Sequence, residues 1–147
     1  MKLNTCSQVI SLTKEFESES AKFYEELSRR YAKDADILLS FAKENRKNIV
    51  QIERTYYGVI SDAIEGCFAF NIDPDDYAFK TELPEKTSYS DALGKAIEME
   101  EKIIEFYSDA AEQSKSLMAD VPRAFVMVAK KRDNRGAILK SLLDKAA

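Results

Sequence analysis

Two glutamates, Glu17 and Glu100, each precede a Phe-Tyr pair, Phe23-Tyr24 and Phe106-Tyr107, at the same spacing. Two more polar pairs repeat at a spacing of three residues, Asn45-x-x-Asn48 and Arg132-x-x-Arg135. Carboxylates on facing elements can ligate a metal or move a proton, and guanidiniums can grip a carboxylate or phosphate. Chemistry is limited by what is missing, because the 147-residue chain has no histidine. That excludes Ser-His-Asp and Cys-His catalysis and every metal site built on imidazole. Arginine does not deprotonate to coordinate a metal, and two guanidiniums would repel a cation. The set therefore offers two anions, two cations and two amides, and its formal charges cancel.

The elements that must position these residues are helices, since apolar residues recur at three and four along most of the chain. The first is expected from about Cys6 to Ala32, with Val9, Leu12, Phe16, Phe23 and Leu27 on one face. The second starts after Asp34 or Asp36, either serving as N-cap, and reaches about Ser61. The third begins near Ser88, where Ser88 and Asp91 have capping-box spacing, and ends around Gln113. The fourth opens on Asp120-Val-Pro122 and runs to about Lys145.

On these helices the polar set lies along apolar lines: Ile10, Glu17, Tyr24 on the first and Leu93, Glu100, Tyr107 on the third. The second has Leu38, Asn45, Ile52, with Asn48 seven beyond Phe41 on the adjoining line. The fourth has Phe125, Arg132, Leu139 and Val128, Arg135, Leu142. Polar residues midway along buried stripes should meet at one depth, where each charge needs a partner. Tyr24 and Tyr107, one heptad beyond the glutamates, can donate to them. Other charges, among them Glu44, Glu101 and Lys131, are expected on solvated faces.

Composition bounds the rest. The chain carries 22 basic and 26 acidic residues, a net charge of -4, with no basic stripe, which disfavours nucleic acid and anionic membrane as partners. Cys6 and Cys67 form no CxxC and fit reduced thiols of a cytoplasmic protein. Neither a signal peptide nor a stretch of transmembrane length is evident. The expectation is one all-α domain over residues 1–147.

Short links join the first helix to the second and the third to the fourth, so each pair should form an antiparallel hairpin. Residues 64–87, with Gly66, Pro74 and Pro84, read as a crossover between the hairpins. Six of the 15 aromatics (Tyr56, Tyr57, Phe68, Phe70, Tyr77, Phe79) fall at the end of the second helix and in this connection. They either pack over the helices or form a homodimer surface. The hairpins also look duplicated: Phe41-Ala42-x-x-Asn45 in one aligns with Val128-Ala129-x-x-Arg132 in the other.

Ala96-Ile97-x-x-Glu100-x-x-Ile103-x-x-Phe106-Tyr107, with its weaker copy ending Glu17-x-x-x-x-x-Phe23-Tyr24, resembles the rubrerythrin branch of the ferritin-like superfamily. The resemblance spans about residues 6–145 and implies a four-helix bundle with a crossover between its second and third helices. It also implies a di-iron site with one Glu on each of the first and third helices and a Glu-x-x-His on each of the others. Glu17 and Glu100 match; Asn45, Asn48, Arg132 and Arg135 stand where the other four ligands would be. No C-terminal CxxC pair for a rubredoxin module is present.

The expectation is a degenerate site holding no metal or other cofactor. The arginines stand in electrostatically for the two ions, in a non-catalytic protein with a structural, sensory or partner-binding role. Its protein partner is not named by the sequence. The alternative is a rubrerythrin-like oxidoreductase or peroxidase with iron on a carboxylate-only site, Glu17 and Glu100 helped by Glu44, Glu101 or Asp133. Helical geometry disfavours it, because residues one step off a stripe point about 100° away. A small anionic ligand on the arginines is a third option, weakened by the glutamates that already neutralise them.

Overall fold

The computed structural model describes residues 2–59, 70–115 and 120–146. Four long helices account for most of them: α1 (Cys6–Arg30), α2 (Ala35–Val59), α3 (Tyr89–Ser114) and α4 (Asp120–Ala146). The described residues include no strand beyond an isolated antiparallel bridge between Leu3 and Ile72. None of their helices is long and apolar enough to cross a membrane.

Local sequence accounts for the boundaries. Thr5 caps α1 by accepting from the Gln8 amide at 3.2 Å, while Gln8 Oε1 accepts from the Thr5 amide at 3.2 Å. This capping box satisfies two amide groups that a helix start leaves open. Tyr31 ends α1, and a 3-10 turn at Ala32–Asp34 leads directly into α2. At α3, Ser88 accepts from the Asp91 amide at 3.1 Å. Pro122 sits in the first turn of α4, where its missing N–H costs no helical bond.

Contacts between side chains set the register. Glu25 with Arg46, Ser20 with Asn45, Glu17 with Asn48 and Lys14 with Glu53 make α1 and α2 antiparallel. Glu100 with Arg132 and Tyr107 with Phe125 do the same for α3 and α4. Phe16 with Phe106 and Tyr24 with Glu100 set α1 against α3, and Glu44 with Arg135 sets α2 against α4. Each helix is thus antiparallel to its two neighbours, and α2 runs parallel to α3. The chain must therefore travel the length of the molecule before α3 can begin.

Residues 70–88 cover that distance as a strap over α1 and α3. Ile72 bridges Leu3, Phe79 packs on Phe16 at 5.5 Å, and Arg30 donates to the Pro84 carbonyl at 3.0 Å. Tyr31 then donates to the Thr87 carbonyl at 2.5 Å. On the α3 side Tyr77 donates to Asp109 at 2.6 Å and Lys95 to the Glu82 carbonyl at 2.6 Å.

The aromatics proposed for a dimer surface are mostly consumed here. Tyr56, Phe70 and Tyr77 are buried within the chain, and Phe79 is half-buried. Their rings lie against the chain's own helices and strap, where the sequence had left packing over the helices and a homodimer surface as alternatives. Tyr57 is the exception, at 65 % exposed. Phe68, like Cys67 and Gly66, lies outside the described residues.

Candidate functional site

The apolar core contains one polar layer. Glu17, Ser20, Asn45, Asn48, Glu100, Arg132 and Arg135 are all buried, as are Tyr24 and Tyr107. One residue or more comes from every helix, because each apolar stripe is interrupted at the same height. Arg132 sits at the centre. Its Nε donates to Glu17 Oε2 at 3.0 Å, and its Nη2 donates to the same oxygen. Nη1 donates to Glu100 Oε1 at 2.7 Å and Oε2 at 2.8 Å. A single guanidinium therefore spans both carboxylates, joining residues 115 and 32 positions apart.

Arg135 is held at the edge of the layer. Its Nη1 donates to Asn45 Oδ1 at 2.7 Å and reaches Glu100 Oε2 at 3.5 Å. Its Nη2 donates to Glu44 Oε1 at 2.6 Å and to the Phe41 carbonyl at 3.3 Å. The planar cation also lies over Phe41 and Tyr24, 4.9 and 5.3 Å from the ring centroids.

The remaining lone pairs are filled by neutral donors. Asn48 Nδ2 donates to Glu17 Oε1 at 2.8 Å, and Asn45 Nδ2 to Ser20 Oγ at 2.9 Å. The tyrosines cross between hairpins: Tyr24 donates to Glu100 at 2.6 Å and Tyr107 to Glu17 at 3.0 Å. Asn48 Oδ1 and Arg135 Nε are the atoms of this layer without a hydrogen-bond partner.

Electrostatics follow from the geometry. Burial, then the facing carboxylate (Glu100 for Tyr24, Glu17 for Tyr107), pushes both phenols well above the ordinary tyrosine range. They remain donors. For Arg132, burial works against the charge, but Glu100 and Glu17 outweigh it and raise its pKa further.

Two members lay outside the sequence expectation. Glu44, placed there on a solvated face, is half-buried and takes Arg135. It stands one residue from the Asn45 line, and the length of an arginine side chain closes that offset. Ser20, three residues beyond Glu17 on α1, accepts from Asn45 and contacts Arg132 at 3.5 Å. Glu101 and Asp133 are exposed.

The donor set does not fit the di-iron centre that the resemblance implies. Both carboxylates are gripped by a guanidinium that no metal could share, and no imidazole exists to complete the ligands. Among the described residues, no three His, Cys, Asp or Glu side chains converge as a metal site. The arrangement is suited to holding four helices together, its two fully buried carboxylates matched by two buried guanidiniums and Glu44 added at the rim. No protein-family model, curated protein or solved structure matches the chain.

Proposed function

We propose that this chain is a ferritin-like four-helix bundle of rubrerythrin type in which arginine replaces the metal, leaving a non-catalytic module that works by binding a partner. The observation that carries the proposal is the position of Arg132, bridging Glu17 and Glu100 from within the core. A dication between two carboxylates neutralises them and ties their helices together. One guanidinium with a second beside it supplies the same charge and the same cross-link without a redox-active centre. The parallel relation of α2 and α3, with a strap joining them, supports the ferritin-like topology, and the reduced cytoplasm suits a chain whose cysteines form no CxxC.

The test is metal content. Protein purified from iron-replete cells is expected to hold negligible iron and to show no new absorbance band on aerobic iron addition. Stoichiometric iron on Glu17 and Glu100 would overturn the proposal and favour the carboxylate-only oxidoreductase. A second arm asks whether the scaffold is of the proposed kind. The variant Asn45→Glu, Asn48→His, Arg132→Glu, Arg135→His restores the six-ligand pattern, and a folded helical product is expected to take up two irons. A folded variant that binds none counts against the ferritin-like reading.

A further inference from the structure

The charges outside the core are divided between faces. Leaving out buried Arg132, Arg135 and Glu100, α4 carries five basic residues against three acidic, whereas α3 carries two basic against six acidic. Along the groove between α2 and α4 the division becomes specific. The register that pairs Glu44 with Arg135 and brings Gln51 Nε2 to Met127 Sδ places Lys47 opposite Lys131 and Arg54 opposite Arg123. Like charges thus stand across the groove in two rungs, the second of which also has the exposed carboxylate of Asp120 beside it. Among the described residues none of these four cations has a carboxylate within ion-pair distance, although Arg46, on the same helix, pairs with Glu25. Lys131 reaches only Gln51, at 3.4 Å. Met127 and Val50 are exposed beside the rungs, at 43 % and 48 %. The rungs are one heptad apart on α2, about 10.5 Å at the helical rise.

The opposite pattern stands on α3. Glu98, Glu101 and Glu105 are all exposed, at spacings of three and four, so they form one ridge. Glu98 and Glu105 are again about 10.5 Å apart. Half-buried Ile97 and Ile104 run beside them at the same period. Among the described residues Glu105 pairs with Lys102 alone, at 4.0 Å, and Glu112, seven residues on, is taken by Lys115 at 2.6 Å.

We infer that the α2/α4 groove of one molecule receives the α3 ridge of a second copy, Glu98 and Glu105 each settling between the cations of one rung while Ile97 and Ile104 cover Met127 and Val50. The contact uses two different surfaces, so it is heterologous and leaves a free groove and a free ridge on every pair. Chains of copies, or a ring if the rotation closes, follow. The inference is independent of the metal question and relocates self-association from the aromatic strap to the basic groove.

Sedimentation of the full chain across a concentration series tests it. The average mass is expected to climb with concentration at about 10 mM salt and to return to the monomer at about 1 M, where screening is nearly complete. A groove variant (Lys47→Glu, Arg54→Glu) and a ridge variant (Glu98→Lys, Glu105→Lys) should each stay monomeric at low salt. Mixing them should restore association, since each supplies the half the other lost. Circular dichroism checks that both fold, which exposed positions favour. A monomer at every concentration in low salt, an assembly that survives either reversal, or a mixture of folded variants that stays monomeric would overturn the inference.

Discussion

At the scale of single residues, Arg132 and Glu44 mark the two extremes of one network. Arg132 is fully buried and bonds two buried carboxylates, so replacing it with methionine leaves Glu17 without its cation and Glu100 with Arg135 alone, at 3.5 Å. Arg132→Met is expected to destabilise the fold by roughly 3–5 kcal/mol in urea unfolding, the cost of breaking a buried pair. Glu44 is at the rim, with its side chain 36 % exposed, and water can replace it on Arg135. Glu44→Gln is therefore expected to cost no more than about 1 kcal/mol in the same measurement. The buried members were legible in the sequence because an apolar line makes any polar interruption conspicuous, as with Glu17 between Ile10 and Tyr24. Their partners were not. Tyr24 bonds Glu100 rather than the glutamate on its own helix, and that choice depends on α1 lying against α3, which no local pattern encodes.

At the scale of elements, helix starts were readable wherever a short polar side chain precedes an apolar period. Ser88 at α3 is such a case, and Ser88→Ala is expected to lower stability by about 0.5–2 kcal/mol through loss of its bond to the Asp91 amide. Thr5→Ala should act similarly at α1, removing the hydroxyl half of a box that Gln8 completes. Chemical denaturation of each variant checks both. The strap was less legible. Its crossover role follows from its length, but residues 70–88 have no period to disclose a path. Long-range pairs such as Tyr77 with Asp109 determine that path. The same pairs explain why its aromatics turn inward: Phe79 on Phe16 and Tyr77 on Phe106 close the seam between α1 and α3.

At the scale of the whole molecule, four tyrosines link titration to folding. Burial raises Tyr24, Tyr107, Tyr77 and Tyr89, with a facing carboxylate acting the same way on each. Below about pH 10 both folded and unfolded chains keep these protons, and the stabilisation is complete. Above it the unfolded chain releases protons that the folded chain retains, so stability must fall as pH rises. Urea midpoints measured between pH 8 and about 11 should show that decline, and a Tyr24→Phe, Tyr107→Phe double variant should decline less steeply.

The span of Arg132 also has a temporal consequence. Each helical hairpin can close from neighbouring sequence, whereas the bonds from Arg132 to Glu17 join residues 115 positions apart and require both hairpins already docked. The expectation is that such bonds are absent from the folding transition state and are lost early in unfolding. Weakening them should therefore accelerate unfolding while leaving the refolding rate nearly unchanged, an asymmetry that stopped-flow mixing of Arg132→Met against the parent would display. The polar layer then acts as a latch, and its main effect is on how long a folded molecule lasts.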